Sequence, residues 1–459
     1  MTNGPMRLLA RPRLAALAAI CAVAWPPAAG AQAAVRLPGL AVGGGDISAA
    51  ALAETADGNV RVLTSDRPGR KTTVAVRTLG EAGWLDAATV LDRGSNYADG
   101  AFAPSGFVVL RSSYAPATGK QTGLSIVDLE AGGNVTATQR LPRREDLYGP
   151  FVGPTGAAAL MLSHRVGRRQ RVEFRWRPAG AARFGARTPI ASRPADEIPA
   201  DFEGSSQDDH EFRWAFASDG SAALLAIPDS ARVGAPYIRR ISAAGVLGPR
   251  IDLGVGRRDR VSGKLVFGET GVLTAAVSGR AKGAKSNELL VTRIAPGADA
   301  SAPTQRLSVR DSRPVPFDVG FDLDAGPGDH VVLLASGGNG DTSRTVLFES
   351  RGGGPFAETA TLPTVYPARL NVLPRADGSV AALWLAQAQD DFTDEGVYVS
   401  AIAPGGAFAP PRKVVGPAEV GSDFIDPLDV LGLRDGRIAF TYADYEGNAG
   451  PVYATIVRP

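Results

Sequence analysis

The chain has 459 residues, 44% of them hydrophobic and 21% charged, with 55 Gly, 34 Pro and a single Cys. Its 49 Lys and Arg are balanced by 47 Asp and Glu for a formal charge of +2, which excludes bulk electrostatic attraction to nucleic acid as the default. One Cys rules out a disulfide framework, and three scattered His leave almost no basis for a Cys/His zinc site.

Arg7, Arg11 and Arg13 precede a 12-residue apolar run from Leu14 to Trp25, closed by Pro26-Pro27 and the small residues Ala29-Gly30-Ala31. This three-part pattern predicts a secretory signal peptide over residues 1–31, with Ala33 as the alternative cleavage point. Twelve helical residues reach about 18 Å, short of a ~30 Å hydrocarbon core, so no membrane span is expected after cleavage. Cys21 falls inside this segment, and Ile20 stands where a lipobox needs a small residue. The expected mature domain, residues 32–459, has no Cys and is placed outside the cytoplasm: extracellular, periplasmic or in the cell envelope.

From Asp57 onward one pattern recurs. A Gly after a small, polar or Pro residue precedes an apolar run at Gly58, Gly106, Gly156, Gly220, Gly271, Gly328, Gly378 and Gly436, a mean spacing of 54 residues. Each unit holds a first strand ending at the Gly turn, such as FRWAFASDG from Phe212, and then the apolar run itself. An alternating third strand follows, such as RVEFRWR from Arg171, and then a Gly-rich turn and a fourth strand. Alanine is frequent in the second strands, as expected where a strand is covered closely on both faces.

Four antiparallel strands in about 54 residues cannot bury their own faces, so eight such units predict a single all-β domain. The expected architecture is a β-propeller of eight four-stranded blades, with seven as the alternative count. The last unit stops after its third strand, VYATIVRP, whereas VRLPGL at Val35–Leu40 precedes the first unit. The N-terminal strand is therefore expected to complete the last blade and close the ring.

The loops joining second to third strands, and fourth strands to the next blade, share one face, where propellers usually bind ligands. Sorting charges onto it gives Arg168, Arg169, Arg257, Arg258 and Arg260 on one side. Asp390, Asp391, Asp394, Asp444 and Glu446 fall on the other. These are the candidate binding-face charges, and such polarity can steer a charged partner. The long segment Ala191–Phe212 is acidic but matches no calcium loop. His164, His210 and His330 fall in different units with no G-x-S-x-G elbow beside them. No catalytic, metal or cofactor residue is therefore assigned, and no cofactor is expected. Trp84, Trp176, Trp214 and Trp384 lie on or beside strands and read as packing between blades.

The turn between third and fourth strands carries Gly405-Gly406 before Phe408, and Gly352-Gly353-Gly354 before Phe356. Sialidase-like propellers carry S-x-D-x-G-x-T-W there, and the repeat resembles that group of secreted bacterial proteins with degenerate copies of the motif. Arg36-Leu37-Pro38 is similar to the Arg-Ile-Pro whose Arg binds the substrate carboxylate in sialidases. The Asp and Thr-Trp of the motif are missing here, and sialidases have six blades.

With no convergent nucleophile or metal motif, the sequence-level expectation is a secreted, non-catalytic and monomeric module. Its role would be binding or scaffolding of an unknown extracellular ligand, protein or glycan, with no nucleic acid. The alternative is a glycan-active hydrolase or lyase of sialidase-like propeller type using carboxylates on the loop face. Two carboxyl groups about 5–9.5 Å apart would be required for hydrolysis, and Asp391 with Asp444 is the first guess.

Overall fold

A strand that is apolar along its whole length must be covered on both sides, and the second strand of each unit, such as Val380–Ala386, is of this kind. In the computed structural model every such strand lies between two neighbouring sheets. The structure describes residues 35–36, 46–67, 71–95, 97–115, 121–142, 146–166, 169–194, 212–227, 235–281, 284, 287–309, 320–337, 344–363, 367–386, 396–416, 425–444 and 452–459.

These residues form eight antiparallel sheets, the blades of a β-propeller, each running through four strands in chain order except blade eight, whose outer strand comes from the N-terminus. Blade one adds a two-residue strand, Gly83–Trp84, beside its third strand Thr72–Gly80. The first strand of every blade is innermost. In order these are Asp46–Glu54, Tyr97–Ala103, Asp146–Val152, Phe212–Phe216, Arg258–Phe267, Gly320–Gly326, Pro367–Pro374 and Ile425–Gly432. They gather around the axis, and the first and the last are in contact. The count is eight, not the alternative seven.

The N-terminal strand closes the ring as expected. Val35–Arg36 lies antiparallel to Val452–Val457, with Val35 opposite Ala454 and Arg36 opposite Tyr453, and forms the outer edge of blade eight. Residues 37–40 of the expected strand, and the expected signal peptide, lie outside the described residues. Among the described residues no helix is long and apolar enough to cross a membrane.

The core is divided among the interfaces between blades. Ala222, Leu224 and Ala226 pack toward Phe174 and Trp176 of blade three. Their neighbours Ala223 and Leu225 pack toward Leu273 and Val277 of blade five. Strand periodicity of two thus sends alternate residues into two different interfaces, and small side chains let the blades approach. The interface of blades eight and one is built the same way, from Leu433, Ala439 and Ile456 against Val60, Val62 and Leu79. Trp384 and Trp176 are buried in such interfaces, and the Trp176 indole donates to the Ala243 carbonyl of the next blade at 3.0 Å.

The repeated Gly is a turn requirement. At Gly220 φ is +83°, a conformation open to Gly at little cost. Ala217 N–H donates to Ser221 O at 2.9 Å across the hairpin, and Asp219 Oδ1 accepts from Ser221 N at 2.8 Å. The Ser221 bonds hold the Asp219 carboxyl below its ordinary range. Blade six departs from this, with a short 3-10 turn over Pro327–Asp329.

Candidate functional site

The inner strands bring together a set of carboxyl groups that the loop-based sorting of charges passed over. Each first strand ends at a last paired residue before its hairpin turn, for example Ala103 opposite Gly106 in blade two. The corresponding residues are Gly268 in blade five, Gly326 in blade six and Leu433 in blade eight. Four residues back along each strand stand Asp99, Lys264, Asp322 and Asp429. Blade four, counted the same way from Ala217, has Arg213 there, so the level carries three acids and two cations around the axis.

In two blades the acid secures the next blade. Asp322 Oδ2 accepts from the Val372 N–H of blade seven at 2.8 Å, while its Oδ1 takes the Lys264 ammonium of blade five at 2.6 Å. Asp429 Oδ2 accepts from the Leu52 N–H of blade one at 2.8 Å. Innermost strands have one unpaired edge, and these carboxylates satisfy donors that would otherwise be left over. Val372 and Leu52 each lie three residues before the last hairpin pair of their strand, at Arg375 and Thr55.

Blade two breaks the pattern. The equivalent donor position in blade three, three residues before Gly153, is Pro150, which has no N–H. Among the described residues Asp99 keeps only the hydrogen bond from its neighbour Gly100 N–H, at 2.8 Å. Asp324, two residues further along blade six on the same face as Asp322, is in a similar position. The adjacent residue of blade seven is Pro374, whose side chain comes within 2.9 Å of a Cβ built on Gly326. Among the described residues Asp324 accepts only from Ala325 N–H, at 2.8 Å.

Burial raises the proton affinity of these groups. Desolvation pushes the Asp99 carboxyl up to about 6 and that of Asp429 to about 7. Asp324 reaches about 7 through desolvation, with the Asp322 carboxylate adding to it. All three are partly exposed by area, on strands that surround the axial channel. A carboxyl titrating between 6 and 7 both donates and accepts protons near neutral pH.

The ten loop-face charges fare differently. Arg168, Asp390, Asp391, Asp394 and Glu446 lie outside the described residues. Arg169, Arg260 and Asp444 fall within the strands Arg169–Arg177, Arg258–Phe267 and Ile438–Asp444, but their side chains are outside the described part. Arg257 is exposed. Arg258 is buried, paired with Glu288 at 2.8 Å and donating to the Val255 and Gly279 carbonyls, which is the role of a strut. His330 is buried against Glu349 at 2.7 Å in blade six, and the side chains of His164 and His210 are not described. Arg36 sits on the outermost strand of blade eight, remote from the channel in sheet order. Among the described residues no group of three or more His, Cys, Asp and Glu is placed to hold a metal ion.

No protein-family model matches the chain, and no curated protein matches its sequence. Among solved structures it is similar to a polysaccharide lyase of family PL25, an ulvan lyase bound to -[GlcA(1-4)Rha3S]-. Identity is 11%, over 84% of this chain and 95% of the other, with a TM-score of 0.40. It is also similar to a eukaryotic initiation factor, at 11% identity over 80% and 89% with a TM-score of 0.42. An alpha-L-arabinanase from Penicillium chrysogenum aligns at 12% identity over 78% and 93% with a TM-score of 0.35. At these levels the likeness concerns the fold alone, and the sialidase-like type is not singled out.

The expectation of a non-catalytic binding or scaffolding module is corrected here. The inner strands carry carboxyl groups, Asp99 and Asp324, that no bond between described blades takes up and that burial brings to titrate near neutral pH.

Proposed function

We propose that this protein is an exported, monomeric glycan-active enzyme, a hydrolase or lyase, with Asp99 as the carboxyl that moves the proton. The observation that carries this reading is the set of inner-strand carboxyls, of which Asp99 and Asp324 are not consumed by bonds between blades. Hydrolysis of a glycosidic bond needs a carboxyl that is protonated near the working pH, and elimination needs a base and an acid at the cleaved bond. Titration near 6 to 7 suits either task. Lys264 and Asp322 between them add a fixed charge pair beside Asp324. The exposed Arg257, between the fourth strand of blade four and the first of blade five, would help to orient an incoming chain.

Incubation with a panel of neutral, uronate-containing and sulfated polysaccharides tests the proposal. New reducing ends without absorbance at 235 nm indicate hydrolysis, and new reducing ends with that absorbance indicate elimination. Intact polymers across the panel between pH 5 and 8 would overturn it.

A further inference from the structure

On the face opposite the candidate loop charges, the hairpin turns of blades one, two, three and eight line an open depression of about 720 Å³. That volume lies within the range of sites that hold a small molecule, about 300–1,000 Å³. Its polar lining includes Glu54, Arg61 and Arg434, and its apolar lining includes Phe102, Pro104 and Pro154.

The charges are not equivalent. Glu54 is occupied: both its oxygens accept from the Arg434 N–H at 3.2 Å, and Arg434 Nε lies 3.4 Å away. The Arg61 guanidinium makes no hydrogen bond or ion pair with any described residue. Its Cζ lies 5.9 Å from the Phe107 ring centroid, a contact that steadies the guanidinium without using its donors. Among the described residues the planar fork of N–H groups on Arg61 is therefore left for a ligand. Such a fork matches a carboxylate or a sulfate with two parallel bonds. Beside it, Phe102, in tilted contact with Phe107 at 5.5 Å, and the two prolines supply apolar surface. A bare inorganic anion would leave that surface wet, whereas the C–H face of a sugar ring would cover it.

We infer that this depression binds an acidic sugar unit, a uronate or a sulfated sugar, with its anionic group on Arg61 and its ring against Phe102. The inference deepens the glycan reading but does not depend on turnover. From Ala103 at the depression back to Asp99 is four strand residues, about 13 Å at a rise of about 3.3 Å each. A polysaccharide anchored here would thus run into the channel toward Asp99.

The test is calorimetric titration of the full mature protein with glucuronate, N-acetylglucosamine 6-sulfate, glucose and inorganic sulfate. At least one acidic sugar is expected to bind ten-fold or more tightly than glucose and than inorganic sulfate, and the tighter of the two identifies the anionic group. Arg61→Gln should weaken that binding ten-fold or more, while Asp99→Asn should leave it unchanged even if all turnover is lost. In the wild-type chain the bound sugar should also protect Arg61 from phenylglyoxal, a readout independent of any variant's folding. Equal affinity for glucose, unchanged binding in Arg61→Gln, or inorganic sulfate binding as tightly as the acidic sugars would overturn the inference.

Discussion

Asp99 and Asp322 occupy the same rung of the inner-strand ladder and differ in what faces them, a proline for one and a free N–H for the other. The consequences can be measured. Asp99 titrates near 6 in the folded chain and near 4 when unfolded, so the native state holds its proton across that interval. Stability is present below the lower value and declines as pH rises through the window. Asp99→Asn should remove this decline, matching the wild type at pH 4 and exceeding it by about 1–3 kcal/mol at pH 7.5 in urea unfolding. An equal gap at both pH values would contradict the assignment. Pro150→Ala should restore the missing donor and lower the Asp99 titration point, read from its carboxyl carbon by NMR. Asp322→Ala should do the opposite of Asp99→Asn: it orphans Val372 N–H and removes the carboxylate facing Lys264, at a cost of about 1–3 kcal/mol.

The strands show how far the sequence reaches. The repeated glycines marked every first hairpin because six of them take φ between +78° and +85° at the same turn position, a backbone need that leaves a direct trace. The closing strand was equally readable from a missing fourth strand at one end and a spare at the other. A chain beginning at Gly43 should lose the Val35–Arg36 pairing and unfold several degrees lower, as seen by circular dichroism. Trp384→Ala, in a second strand with 1% of the side chain exposed, should cost about 3–5 kcal/mol. The channel carboxyls were harder to see. Asp99, Asp322, Asp324 and Asp429 sit inside short, largely apolar strands, where a single acid breaks no visible pattern. The available signal was an acid where a strand residue is packed against a neighbouring blade, found by aligning first strands at their hairpins.

Eight interface clusters closed by a terminal strand make the ring a rigid frame. Its tightly packed blades fix the inner strands and hence the level at which carboxyls meet the axis. Function cannot be read from this frame, since propellers host many activities. It rests on which acids the frame consumes and which it leaves free. Catalysis by Asp99 can be decided by following the size distribution of the polysaccharide panel at pH 5–7 with the wild type and Asp99→Asn in parallel. Fragmentation by the wild type, reduced 100-fold or more in the variant while its unfolding remains cooperative, is the expected result. Equal fragmentation by both, or none by either, would contradict it.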